Sequence, residues 1–112
     1  MAAGVYNLSI EQGASWEISL EVDLEAGTDM NLTGYIFASK IAKSHYDDAP
    51  VSMGVALVNA EEGKFKLYLT PEQTALFDSA IEYIYDVEIT SISGTVTRIL
   101  QGRATISPGV TS

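Results

Sequence analysis

Residues 81–107, IEYIYDVEITSISGTVTRILQGRATIS, decide the fold. Ile81, Tyr83, Tyr85, Val87 and Ile89 recur at every second position, with Glu82, Asp86 and Glu88 between them. That period of two puts one set on each face of a strand, apolar inward and acidic outward. SISG then turns the chain, with Gly94 free to take a positive φ. The return run, TVTRILQGRATIS, is rich in β-formers, but its alternation shifts near residues 99–102, where a bulge is expected. Arg98 and Arg103 are placed to face the acids of the first strand, each pair contributing about 0.2–1 kcal/mol. Pro108 cannot donate to a ladder and ends it.

The rest of the chain repeats this grammar. In SWEISLEV, Trp16, Ile18, Leu20 and Val22 share a face opposite Ser15, Glu17, Ser19 and Glu21. VYNLSI groups Tyr6, Leu8 and Ile10 before the break at EQGAS. GYIFASKIAK sets Tyr35, Phe37 and Ile41 together, and KFKLYLT sets Phe65, Leu67 and Leu69 inward against Lys64, Lys66 and Tyr68. VSMGVALVN is apolar on both faces and reads as one strand of undetermined register. One helix interrupts the strands. TPEQTALF offers Thr70 as N-cap, Pro71 at the first helical position and Gln73 to complete a capping box, with Leu76 and Phe77 as a short apolar face. Such a helix needs tertiary packing to persist. The pattern predicts an all-β chain: one antiparallel β-sandwich domain over 1–112, of about seven strands, with a short helix near residues 71–77.

Composition narrows function by exclusion. The net charge is −9, with six Lys and Arg against fifteen Asp and Glu. That balance disfavours nucleic acid and anionic membrane surfaces as partners. There is no cysteine, so no disulfide framework is expected. The first residues lack the basic and apolar regions of a secretory signal, and no apolar run approaches the roughly 18 residues of a membrane span.

Catalytic and metal chemistries find little support. The one histidine, His45, lies in SHYDDAP beside Asp47 and Asp48, but sequence neighbours do not adopt triad geometry and no nucleophile elbow is present. Zinc needs about four N or S ligands, which one His and no Cys do not supply. DLEAGTD groups Asp23, Glu25 and Asp29 around Gly27, but lacks the closing Glu of a calcium loop. Glu82, Asp86 and Glu88 read as the wet face of a strand rather than a glycosidase pair. Trp16, Tyr6, Tyr35, Tyr83 and Tyr85 fall on predicted core faces, leaving Tyr46 and Tyr68 exposed. No catalytic residue, cofactor or metal ligand is expected.

Three segments, YNLSIEQGASW near the start, NLTGY at 31–35 and YDVEITSISGTVTRILQGRATISPGVT at the end, together resemble a family of small tailed-bacteriophage proteins encoded among tail, baseplate and fibre genes. GKFKLYLTPEQTALF is similar to the same family's strand followed by a Thr-capped helix. The resemblance implies a β-sandwich like the N-terminal domain of phage baseplate upper proteins. It implies a non-enzymatic virion component, made in the host cytoplasm and present in several copies, whose partners are other virion proteins. Two alternatives remain open: a capsid decoration or head-fibre protein, and a carbohydrate-binding module for a host receptor. The expected docking residues are His45, Tyr46, Asp47 and Asp48 of the 44–50 loop, with Tyr68 as a second exposed aromatic.

Overall fold

The computed structural model describes residues 4–22, 31–44, 46–47 and 49–109. The strand expected over 81–90 is β8 (Glu82–Thr90) and its return is β9 (Val96–Ser107), antiparallel from Glu82↔Thr105 to Thr90↔Val96. Gly94 closes the turn at φ +93°, its N–H donating to the Ser91 carbonyl at 2.9 Å. The expected bulge is there. Val87 faces Leu100 and Glu88 faces Arg98, so Ile99 is the extra residue. On the core side β8 buries Tyr83, Tyr85, Val87 and Ile89.

This hairpin forms the middle of a six-stranded sheet. Beyond β8 lie β4 (Ile36–Ala42) and β5 (Val51–Ser52); beyond β9 lie β1 (Gly4–Val5) and β2 (Leu8–Glu11). A second sheet of three strands runs in the order β3 (Trp16–Glu21), β7 (Lys64–Leu69), β6 (Gly54–Asn59). The two inner faces meet in one core, where Ile10, Leu32, Ile41, Phe65, Leu67, Val87 and Ile89 are buried. Phe37 and Phe65 pack across it with ring centroids 5.2 Å apart. The chain is therefore an all-β sandwich.

Four details differ from the sequence reading. First, β1 and β2 pair with β9 in parallel; every other pairing described is antiparallel. Gly4↔Leu100 and Leu8↔Ala104 share one register, so the N-terminal run lies along β9 as a single interrupted strand. Periodicity reports which face is buried, not the direction of the neighbour. Second, Tyr6 sits at the interruption and is exposed. Its backbone, not its ring, is engaged: the N–H donates to Gln101 at 3.0 Å and the carbonyl accepts from the Tyr85 hydroxyl. Gly102 permits this, because a Cβ there would stand 2.2 Å from the Tyr6 oxygen.

Third, VSMGVALVN is two strands, one in each sheet, joined at buried Met53. Its outward positions look apolar because they are small: Gly54 lies under the Tyr68 ring, which a Cβ would meet at 2.2 Å. Fourth, the helix α1 (Pro71–Ala75) has the expected capping box, with Gln73 N–H on Thr70 Oγ1 at 3.2 Å and Thr70 N–H on Gln73 Oε1 at 2.9 Å. Its buried contact is Thr74, whose hydroxyl donates to the Ala14 carbonyl at 2.8 Å. Phe77 is buried against Tyr83, but Leu76 is the C-cap and points to solvent, 83% exposed.

Candidate docking face

The outer face of the large sheet is ordered in rows across β4, β8 and β9. The pairings give Ile36–Thr90–Val96, then Ala38–Glu88–Arg98, Lys40–Asp86–Gln101 and Ala42–Ile84–Arg103. From Ile36 to Ala42 the rows span about 20 Å. Ala38 and Ala42 on β4 lower the floor, leaving a shallow, open groove of about 820 Å³. The 43–50 loop forms its rim through Ser44, Asp47 and Pro50.

The middle rows carry both signs of charge. Arg98 Nε lies 3.4 Å from Asp86 Oδ2, and Arg103 Nη1 lies 2.8 Å from Glu82 Oε1. Both pairs are well exposed, so each contributes at most about 1 kcal/mol. Lys40 and Glu88 stand on the same face in no ion pair among the described residues. Lys40, Arg98 and Arg103 thus balance Glu82, Asp86 and Glu88. Half of the chain's six Lys and Arg are gathered on this one face of a protein with net charge −9.

One end of the face is apolar. Ile36, Ile92 and Val96 are all more than half exposed. Ile92, at the tip of the β8–β9 turn, folds over Gly34, where a Cβ would come within 2.9 Å of its Cδ1. The sequence reading passed over these three. The available signal was an isoleucine in a turn, SISG, whose other residues are small or polar.

At the other end Tyr46 is 95% exposed, as expected. Asp47 is on the rim, but its carboxylate is turned back on its own loop. Oδ2 accepts from the Lys43 N–H and Oδ1 from the Ala49 N–H, both at 2.9 Å. These bonds, Lys43 before Ala49, hold its pKa below the usual carboxylate value, with a further contribution from the Lys43 charge. Asp47 therefore orders the loop that presents Tyr46. Tyr68 is on the outer face of the small sheet, on the opposite side of the sandwich, and covers Gly54 there. The structure does not bring it to the 43–50 loop. His45 and Asp48 lie outside the described residues, as do Asp23, Glu25 and Asp29.

Among the described residues no group of three or more His, Asp or Glu is placed to hold a metal ion. No helix among them is long and apolar enough to cross a membrane. No protein-family model matches the chain. No curated protein matches it either.

Proposed function

We propose that this protein is a non-enzymatic docking component of a tailed-phage virion, belonging to the tail, baseplate or fibre-attachment apparatus and present there in several copies. The resemblance of its N-terminal, central and C-terminal segments to that family supports the virion setting. The observation that carries docking is the outer face of the large sheet. An acidic chain has one broad surface whose charges balance, bounded by exposed aliphatics at one end and an exposed tyrosine at the other. Balanced charge removes the like-charge penalty for an acidic partner. The exposed tyrosine is of the type enriched among interface hot spots, where truncation can cost about 2 kcal/mol or more, and the exposed aliphatics add apolar area to bury. The groove is too open to enclose a small molecule.

The test is incorporation into particles. Tyr46→Ala and an Ile36→Ser, Ile92→Ser pair are made in protein that melts like wild type. Reduced incorporation of both is expected. Tens of copies per particle would place the protein in the tail, hundreds on the capsid. Absence of the wild-type chain from purified particles would overturn the virion reading. Undiminished incorporation of both variants would overturn this face as the docking surface.

A further inference from the structure

The small sheet ends at β3 on one side and β6 on the other, and among the described residues neither edge is paired further. The two edges differ in charge. β3 turns Glu17 and Glu21 outward. A second copy pairing there would set glutamates against glutamates in a chain of net charge −9. β6 reads GVALVN and contains no ionisable residue. Its outward positions Gly54 and Ala56 are small, so a neighbouring strand can approach. Its neighbours on β7 are Lys66 beside Ala56 and Lys64 beside Asn59, which offset the acids around them.

The sandwich is also unfinished along β6. Leu57 pairs with fully core-facing Phe65, yet is 47% exposed because the sheet stops there. Val58 is 62% exposed. An open edge of this kind is a template for another strand, and natural proteins usually guard it with charge. β6 has only a register shift between Leu57 and Asn59, which confines regular pairing to Gly54–Leu57.

We infer that β6 is the pairing edge for a second copy of this chain, antiparallel across a twofold axis. An isologous contact brings the same segment to itself in reverse. With the axis beside Ala56, the two Ala56 residues face each other and Val55 of one copy covers Leu57 of the other. The two small sheets then join into one of six strands. The chain meets itself without opposing charges here, which its other open edge in this sheet does not allow. This inference stands apart from the virion reading, because it concerns the isolated chain.

The experiment is sedimentation equilibrium over a concentration series. Wild type is expected to rise from 12.0 kDa toward twice that mass. Ala56→Lys, which sets two ammonium groups face to face at an exposed site, is expected to stay monomeric and to melt as the wild type does at dilutions where that too is monomeric. Ala56→Glu is expected to do the same, and an equimolar mixture of the two to recover the dimer. A wild type that stays monomeric at millimolar concentration would overturn the inference; the chain's own 23–30 segment would then be the next occupant to test. Dimerisation of Ala56→Lys alone at wild-type strength would overturn it equally.

Discussion

Replacing Gly102 by alanine tests how the N-terminal run is seated. The new Cβ would stand 2.2 Å from the Tyr6 oxygen and 2.9 Å from its carbonyl carbon. Both are backbone atoms, so no rotamer change relieves the clash. To restore even a 3.0 Å contact the segment must withdraw by about 0.8 Å (3.0 − 2.2). Three bonds are at stake: Tyr6 N–H to Gln101, Arg103 N–H to Asn7 Oδ1 at 3.1 Å, and the Tyr85 hydroxyl to the Tyr6 carbonyl. Overpacking costs about 1–3 kcal/mol. Leaving the Tyr85 hydroxyl, on a residue only 4% exposed, without its acceptor costs about 1–3 kcal/mol more. A total of about 2–6 kcal/mol lowers Tm by on the order of 10–25 °C for a domain of this size. The control is Gly54→Ala, whose clash is with the tip of the Tyr68 ring. That ring is 40% exposed and can swing aside, so the loss should stay near 1 kcal/mol, about what a glycine-to-alanine change returns in chain entropy. Urea and thermal melts read both. Tyr85→Phe should couple with Gly102→Ala by about 1 kcal/mol, since either change breaks the same bond. A Gly102→Ala protein that melts within 2 °C of wild type, at about the precision such a comparison needs, would refute the seating of the N-terminal strand on β9.

Two titrations follow from the same geometry. Burial, with a smaller contribution from Tyr6, pushes the Tyr85 hydroxyl from 10.0 up to about 12. A raised folded pKa favours the protonated form, so stability is intact below pH 10 and falls as pH rises from about 10 to about 12. Chemical melts across that window should show a decline that Tyr85→Phe lacks. For Asp47 the sign is reversed. Its folded pKa lies below 3.8, so its contribution to ordering the 43–50 loop is present above that value and lost as pH falls through the lower folded one. An NMR titration of the Asp47 carboxyl should give a midpoint below 3.8, and a midpoint at or above it would show that the two loop hydrogen bonds are not held in solution.

Much of the fold was legible because it rests on local rules. The facing of β7 and β8, the capping box at Thr70 and the turn at Gly94 each follow from spacing or from one residue's conformational range. What was not legible is what depends on the identity of the neighbour. Tyr6 alternates correctly with Leu8 and Ile10, yet its backbone is drawn aside at Gly102, almost a full chain length away. VSMGVALVN looked like one strand because a change of sheet at Met53 leaves the alternation intact. The candidate docking face was half legible. Tyr46 stands out as an aromatic in a polar loop, and Arg98 and Arg103 pair with acids as their β propensity and charge suggest. Lys40 joins them only through the β4–β8 register, and Ile36 meets Val96 only through two successive strand pairings.

The bulge at Ile99 connects the fold to that face. Arg98 and Arg103 are five residues apart, and in a regular strand an odd separation puts side chains on opposite faces. The extra residue resets the alternation, so both arginines face outward while Ile99, Ala104 and Ile106 are all buried. Deleting Ile99 removes that extra residue and leaves the arginines four positions apart, an even separation that a regular strand keeps on one face. Arg98 opposite Glu88 and Leu100 opposite Val87 would then be successive pairs, and neither half of β9 has to turn over. What the deletion removes is a buried side chain, at a cost of about 2–5 kcal/mol against a total stability of about 5–15. The expected result is a cooperative melt at lower temperature, close to that of Ile99→Ala, with Arg98 and Arg103 still paired to Asp86 and Glu82 on the outer face. If the deletion abolished the cooperative melt while Ile99→Ala kept it, Ile99 would not be the residue that the ladder leaves out, and the common facing of the two arginines would need another explanation.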